Sequence, residues 1–153
     1  VQKITTFMAF QSHGKDAVEF YTAIFKNSQI NSLLALPENN QLIHASFVLD
    51  GEDFMAMDGG DNFKFEQGIS LFVTCEDQQE VDYYWDRLGQ GGEYIKCGWL
   101  KDQFGLSWQI IPKRLNELMQ DSDTAKTMKV RNAMLNMIKI DVEGLERAYN
   151  SPN

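Results

Sequence analysis

Ala17-Val18-Glu19-Phe20-Tyr21-Thr22-Ala23-Ile24-Phe25 is answered later in the chain by Val81-Asp82-Tyr83-Tyr84-Trp85, and this echo decides the reading of the fold. The apolar residues at 17, 18, 20, 21, 24 and 25 have helical spacing, and Val81, Tyr84, Trp85 and Leu88 line one side of a second helix. Working outward, each helix sits in the same order of elements. Residues 4–10 are rich in β-branched and aromatic side chains and read as a strand, followed by a turn at 11–15. The first helix begins at Asp16 and stops at Asn27-Ser28. Strands follow at 29–36, 42–49 and 54–57, separated by the turn Pro37-Glu38-Asn39-Asn40 and the hairpin connection Asp50-Gly51-Glu52-Asp53. The loop Asp58-Gly59-Gly60-Asp61-Asn62 closes the unit.

The order then repeats. Residues 69–75 read as a strand and 78–88 as a helix, which Gly89-Gln90-Gly91-Gly92 stops. Short strands near 94–95 and 98–101 lead to 106–111, ended by Pro112. A unit with one helix cannot bury both faces of its sheet alone. The expected fold is therefore α+β, with two paired β-α-β-β-β modules forming curved mixed sheets around a cleft. Module one spans 3–60 and module two 67–112, inside a single domain 1–153.

Residues 113–153 form a helical extension of different construction. They carry 7 basic and 6 acidic side chains, whereas the whole chain has 14 basic and 22 acidic, a net charge of −8. Residues 114–119 make one short helix; Asp121, Ser122 or Asp123 can cap the next, and Asp141 can cap a last one with Leu145 and Tyr149 inward. Met128, Val130, Met134, Leu135, Met137 and Ile138 supply the apolar positions of the middle helix. A methionine-rich face can bind a partner by adaptable packing; packing within the chain or a homodimer seam is the favoured alternative.

Composition excludes several classes. With 43% apolar and 24% charged residues the chain can bury a core, and no apolar run is long enough to span a membrane. The acidic balance disfavours nucleic acid and anionic membrane surfaces as partners. Val1-Gln2-Lys3-Ile4 opens directly into a strand pattern rather than a secretory signal, and Cys75 and Cys97 make no disulfide framework, which suits a reducing cytoplasm.

Chemistry-bearing motifs are few. The two histidines, His13 in a turn and His44 in a strand, show no metal-ligand spacing; His13 is expected in solvent, and His44 is either a structural residue or a base or ligand facing a cavity. Both cysteines are expected to be buried and unreactive, with neither at a helix start beside a histidine. Gly59-Gly60 and Gly89-Gln90-Gly91-Gly92 match no phosphate-loop pattern, and Ser107 lacks the glycines of a nucleophile elbow. Trp99, Phe104 and Trp108, with Phe72, could line a concave apolar site held by Gln109, Ser70 and Thr74, or could equally form an ordinary core.

Several stretches resemble one family. They are 17–25, Asp58-Gly59-Gly60 with Phe63-Lys64-Phe65, Cys75-Glu76-Asp77 with Val81-Asp82-Tyr83-Tyr84-Trp85, residues 97–112, and Ala133-Met134-Leu135. They resemble the PhnB-like proteins, also labelled 3-demethylubiquinone-9 3-methyltransferase domains, within the vicinal oxygen chelate superfamily of glyoxalases, bleomycin resistance proteins and dioxygenases. The resemblance implies paired β-α-β-β-β modules, commonly in homodimers. It also implies metal ligands, usually histidine and glutamate, on the first and last strands of each module. The matching positions here are Thr6, Met57, Ser70 and Gln109, and none is histidine or a carboxylate. No glycine-rich strand-to-helix loop with a following acidic residue is present to seat a methyl donor. The expectation is a homodimeric cleft protein binding an unidentified small molecule through His44, Ser70, Phe72, Thr74, Trp99, Trp108 and Gln109, with no cofactor. One alternative is a divalent-metal-dependent lyase, isomerase or oxygenase in which His44 and Gln109 converge with Asp58 or Glu52. Another is a purely structural dimer.

Overall fold

The computed structural model describes residues 2–152, which fold as two compact units dividing after Phe65. The first unit runs β1 (Thr6–Phe10), α1 (Gly14–Ile24), β2 (Gln29–Ala35), β3 (Leu42–Leu49) and β4 (Glu52–Asp58). Its sheet has the order β1-β4-β3-β2, with β1 and β4 parallel and the other pairs antiparallel. The second unit runs β5 (Leu71–Cys75), α2 (Gln78–Gly89), β6 (Glu93–Tyr94), β7 (Trp99–Lys101) and β8 (Ser107–Pro112). Its order, β5-β8-β7-β6, repeats the topology of the first, with β5 and β8 parallel. The α+β architecture and the duplication follow the sequence pattern closely.

Each helix covers one face of its own sheet. Ala17, Val18, Tyr21 and Ile24 of α1 are buried, and so are Val81, Trp85 and Leu88 of α2. On the first sheet the covered face carries Met8, Phe10, Ala45, Phe47 and Ala56, all at most 2% exposed. Phe47 and Phe54 are cross-strand partners and stack there. The two helices begin differently. Asp77 caps α2 by accepting from the Glu80 amide at 2.9 Å. At α1 the preceding His13 is left-handed (φ 65) and makes no cap with its side chain. Asp58, at the end of β4, does the work instead: its carboxylate accepts from Gly14 N–H at 2.9 Å and from Leu42 N–H at 2.8 Å. A side chain at position 14 would meet Asp58 Oδ1 at 2.6 Å, so glycine is required for this approach.

Three further helices follow β8: α3 (Lys113–Met119), α4 (Thr124–Leu135) and α5 (Val142–Asn150). Their core joins Ile111 of β8 to Leu115, Leu118, Val130, Ile140 and Leu145, with Met134, Met137 and Tyr149 packed against it. The methionines at 134 and 137 thus serve packing within the chain. Asp123 is the residue that caps α4, accepting from Ala125 and Lys126 amides. Two expectations are corrected here. Met137 and Ile138 are not on α4, which ends at Leu135; they lie in the connection to α5, where their carbonyls accept from Cys97 and Gly98 N–H, each at 2.8 Å. Asp141 sits at the N-terminal boundary of α5, but its side chain caps nothing and instead lies 3.7 Å from Arg147. Among the described residues no helix is long and apolar enough to cross a membrane.

Polar contacts brace α2 and the extension, each within itself. The Gln78 amide donates to Asp82, Tyr149 donates to Asp121, and Arg114 donates to Glu146; each contact holds the carboxyl below its ordinary value. Such a carboxyl contributes stability above its unfolded value, about pH 4, and loses it as pH falls through the lower folded value. Tyr149 is pushed upward by the same bond to Asp121, so its contribution is present below its unfolded value, about pH 10, and is lost above it. Urea midpoints should therefore be highest near neutrality and fall on both sides. In Tyr149→Phe the alkaline fall should shrink, and an unchanged alkaline limb would place the phenol outside the docking energetics.

Candidate functional site

Alternation along the strands sorts the candidate residues. In the second unit Phe72 is paired with Gln109, and Gln109 with Trp99, so the three share one face. Ser70 and Thr74 flank Phe72 at spacings of two and fall on the same side. Gln109 Nε2 donates to Ser70 Oγ at 3.0 Å, which orients the amide and leaves its carbonyl oxygen for another donor. Phe72 is 49% exposed, Thr74 is exposed, and Trp99 and Gln109 are half-buried. Five of the expected residues, Ser70, Phe72, Thr74, Trp99 and Gln109, are thereby brought together on a face that α2 does not cover.

Trp108 is not among them. It pairs with Leu71 and Leu100 on the opposite face and is 2% exposed. Its indole Nε1–H donates to Asp102 Oδ2 at 2.8 Å, while Asp102 Oδ1 accepts from the Phe104 and Leu106 amides at 2.9 and 3.0 Å. Asp102 is itself only 3% exposed, so three donors satisfy a buried carboxylate. This tryptophan is a core residue pinned by a turn.

His44 lies on the first unit and is exposed. It pairs with Leu34, on the side shared by Ser46 and Met55. Glu52 and Asp58 take the other side of that sheet, with Phe54, Ala56 and Phe10. Asp58 is moreover engaged by two backbone amides. The proposed convergence of His44 with Asp58 or Glu52 is therefore corrected: strand parity separates them. Thr6 and Met57 are separated in the same way. Thr6 pairs with Phe54 on the α1 side, whereas Met57 pairs with Ala9 on the other. The first-strand residues that share the face of Met57 are Phe7 and Ala9, which offer no metal-binding atom. Among the described residues no cluster of three or more His, Cys, Asp or Glu is placed to hold an ion. Thioethers, a phenyl ring, one hydroxyl and one amide do not suit a hard divalent cation.

Cys75 is buried, as expected; burial pushes its thiol up to about 12, with Glu80 and Asp77 adding to the shift. Cys97 departs from expectation. It is half-exposed, with a left-handed backbone (φ 64), in a 3-10 turn over Lys96–Gly98. With Gln67, Ile95, Lys96 and Trp99 it lines a cavity of 330 Å³. Sequence reasoning missed this cavity, although the Cys97-Gly98 step before Trp99 was a signal for a turn. A larger polar cavity of 550 Å³ lies in the first unit, lined by His13, Asn40, Asp58 and neighbours. His13 there is exposed and lies 3.5 Å from Asp16.

Comparison with known proteins places this arrangement. The family model described as 3-demethylubiquinone-9 3-methyltransferase matches residues 2–111. The chain belongs to that family. A PhnB protein from Bacillus cereus is 38% identical, with a TM-score of 0.68 over 72% of this chain and 99% of the other. Protein PA1353 from Pseudomonas aeruginosa shares the fold at 18% identity, TM-score 0.59, over 73% of this chain and 98% of its own. The fosfomycin resistance protein FosX from Listeria monocytogenes, solved with Mn(II) and sulfate, shares it at 15% identity, TM-score 0.52, over 71% and 89%. No curated protein matches the chain. The Pseudomonas aeruginosa and Listeria monocytogenes likenesses show that this family member shares its fold with both proteins. The family match ends at Ile111, so Ala133-Met134-Leu135 falls outside it.

The role given to Asp102 has a measurable consequence. Asp102→Ala leaves three donors without their acceptor and should cost about 2–4 kcal/mol in urea unfolding. A loss below about 0.5 kcal/mol would mean that water replaces the carboxylate and that the turn is not pinned.

Proposed function

We propose that the uncovered face of the second sheet binds a small, partly apolar molecule, without the metal chemistry common in the superfamily. The observation that carries this reading is the Gln109–Ser70 hydrogen bond, which orients a polar pair beside the exposed Phe72 and the half-buried Trp99. A flat apolar ligand would lie against the two rings, and its donor would meet the Gln109 carbonyl. Thr74 would supply a further hydroxyl; His44 belongs to the first sheet and takes no part in this site. Burying one aromatic face of roughly 100 Å² would contribute about 2.5 kcal/mol at about 25 cal/mol per Å². That is enough for selective recognition and too little for tight binding without the polar pair.

FosX holds Mn(II). The donors available at the corresponding strands here, Met57 in the first sheet and Ser70 and Gln109 in the second, do not fit such an ion. No step through a metal is derived. Nor do the strand-to-helix connections at 11–13 and 76–77, which contain no glycine, supply the phosphate-cradling loop that a nucleoside-bearing methyl donor favours. We assign the chain to the reducing cytoplasm on its two unpaired cysteines. We also propose a homodimer, supported by Phe7 and Leu34 at 49% and 58% exposure. Sedimentation equilibrium should give twice the chain mass, and a monomer at about 100 times the working concentration used for binding would reject it.

Ligand-observed NMR with a fragment set of bicyclic aromatics tests the binding reading. Trp99→Ala should weaken the best fragment at least tenfold, about 1.4 kcal/mol, and Gln109→Ala by several-fold, about 1 kcal/mol. Fragments that bind with equal affinity to both variants would move the site elsewhere.

A further inference from the structure

We infer that the C-terminal extension sets the shape of the Trp99 cavity, so that docking of the extension and ligand binding at the cavity are thermodynamically coupled; this rests on the binding reading above. Lys96 and Cys97 of the Lys96–Gly98 turn line the cavity. Two consecutive left-handed residues, Cys97 (φ 64) and Gly98 (φ 80), shape that turn. A left-handed non-glycine residue is unfavourable by itself and persists where its surroundings hold it. Here the surroundings belong to the extension. Cys97 N–H donates to the Met137 carbonyl and Gly98 N–H to the Ile138 carbonyl, each at 2.8 Å. Both acceptors lie in the connection between α4 and α5, where helical hydrogen bonding no longer consumes them.

Side-chain packing closes the same clamp. A Cβ at position 98 would meet Ile140 Cγ1 and Ile111 Cδ1, each at 2.9 Å. Ile140 and Ile111 are both in the core of the extension. Ile111 also shares the strand face of Gln109 and Thr74, so the extension covers one end of the candidate binding face. From the other side Gln78, at the start of α2, anchors the connection. Its Nε2 donates to the Ile140 carbonyl at 3.0 Å, and its Oε1 accepts from Val142 N–H at 2.7 Å. The segment 137–142 is thus bolted to α2 and to the Lys96–Gly98 turn together.

The extension lies beyond the family match. The family model ends at residue 111, and the Bacillus cereus relative is matched over 99% of its length by 72% of this chain. The residues beyond the family match grip the turn that carries Lys96 and Cys97 of the cavity lining. Gln78, Gly98 and Ile140 are therefore positioning residues: they act on a ligand through the turn that carries Lys96, Cys97 and Trp99.

Coupling of this kind is reciprocal: whatever factor the clamp adds to ligand affinity, bound ligand must return to the clamp. The probe is 1-anilinonaphthalene-8-sulfonate, whose fused rings suit Trp99 and whose anion suits Lys96. Its fluorescence titration uses the full chain as wild type, Trp99→Ala, Gln78→Ala and Gly98→Ala, with circular dichroism confirming each fold. Where Gly98→Ala does not fold, Gln78→Ala carries the test. Gln78→Ala should raise the probe dissociation constant at least fivefold while the far-ultraviolet spectrum is unchanged. In the wild type, saturating probe should slow amide exchange at Cys97, Gly98 and Val142, and in Gln78→Ala this protection should disappear. A loss of melting temperature alone, with probe affinity and exchange protection intact, would make Gln78 merely structural and overturn the inference. Probe binding that Trp99→Ala does not weaken would overturn the binding reading itself, and the coupling with it.

Discussion

In a β-strand each residue faces away from its neighbour, and in both units of this protein one helix covers only one of the two sides. That constraint organises nearly everything else. Trp108 and Gln109 are adjacent in sequence, yet the first is sealed in the core against Asp102 and the second presents an amide on the uncovered face. The parallel pairs β1–β4 and β5–β8 fix the register on which this separation depends. A slip of one residue would send Gln109 into the core and Trp108 onto the uncovered face. The turn centred on Asp102 guards against such a slip, because it ties the strand's indole to the loop that begins the strand. The polar pair on the open face is thus held in place from the core side.

The duplication was legible because the signals were long and redundant: two helical periods with the same Val, acid, aromatic, aromatic order, and turn residues between the strands. The candidate site was only partly legible, and parity explains the misses. The grouping of Trp99, Phe104 and Trp108 by nearness in sequence ignored that Trp108 must alternate with Gln109. Thr6 and Met57 fall on opposite sides of their sheet, where Phe7 and Ala9 share the side of Met57. Asp58 looked like a free carboxylate in a glycine-rich loop. Its role on the Gly14 and Leu42 amides depends on residues far away in sequence, which no local pattern records.

The extension shows a different limit. Met137 and Ile138 continue the apolar spacing of α4, so periodicity assigns them to that helix. Their carbonyls are instead recruited by the amides of Cys97 and Gly98. Long-range hydrogen bonds to a strained turn outweigh helix propensity, which is worth only a few tenths of a kcal/mol per residue. Asp141 stands at a helix boundary without a side-chain capping bond, and Gln78 accepts from the Val142 N–H there. A side chain from another helix has taken over part of the work that a local cap does elsewhere.

Fold and chemistry therefore separate in this family member. The scaffold shared with FosX at a TM-score of 0.52 is an arrangement of strands that can present side chains from their ends and faces. It does not dictate which side chains are presented. Where strand faces carry histidines and carboxylates, the scaffold can hold an ion. Here the uncovered positions include Phe7, Ala9, Met57 and a single histidine, His44, on one sheet and Ser70, Phe72, Thr74, Trp99 and Gln109 on the other. These positions set aromatic rings beside one oriented amide, the chemistry on which the proposed binding of a partly apolar molecule rests. The extension grips the turn beside Trp99, one of those rings. Under the proposed binding, selectivity follows the contour of the cavity wall, which residues inside the family match line and Met137, Ile138 and Ile140 beyond it hold in place.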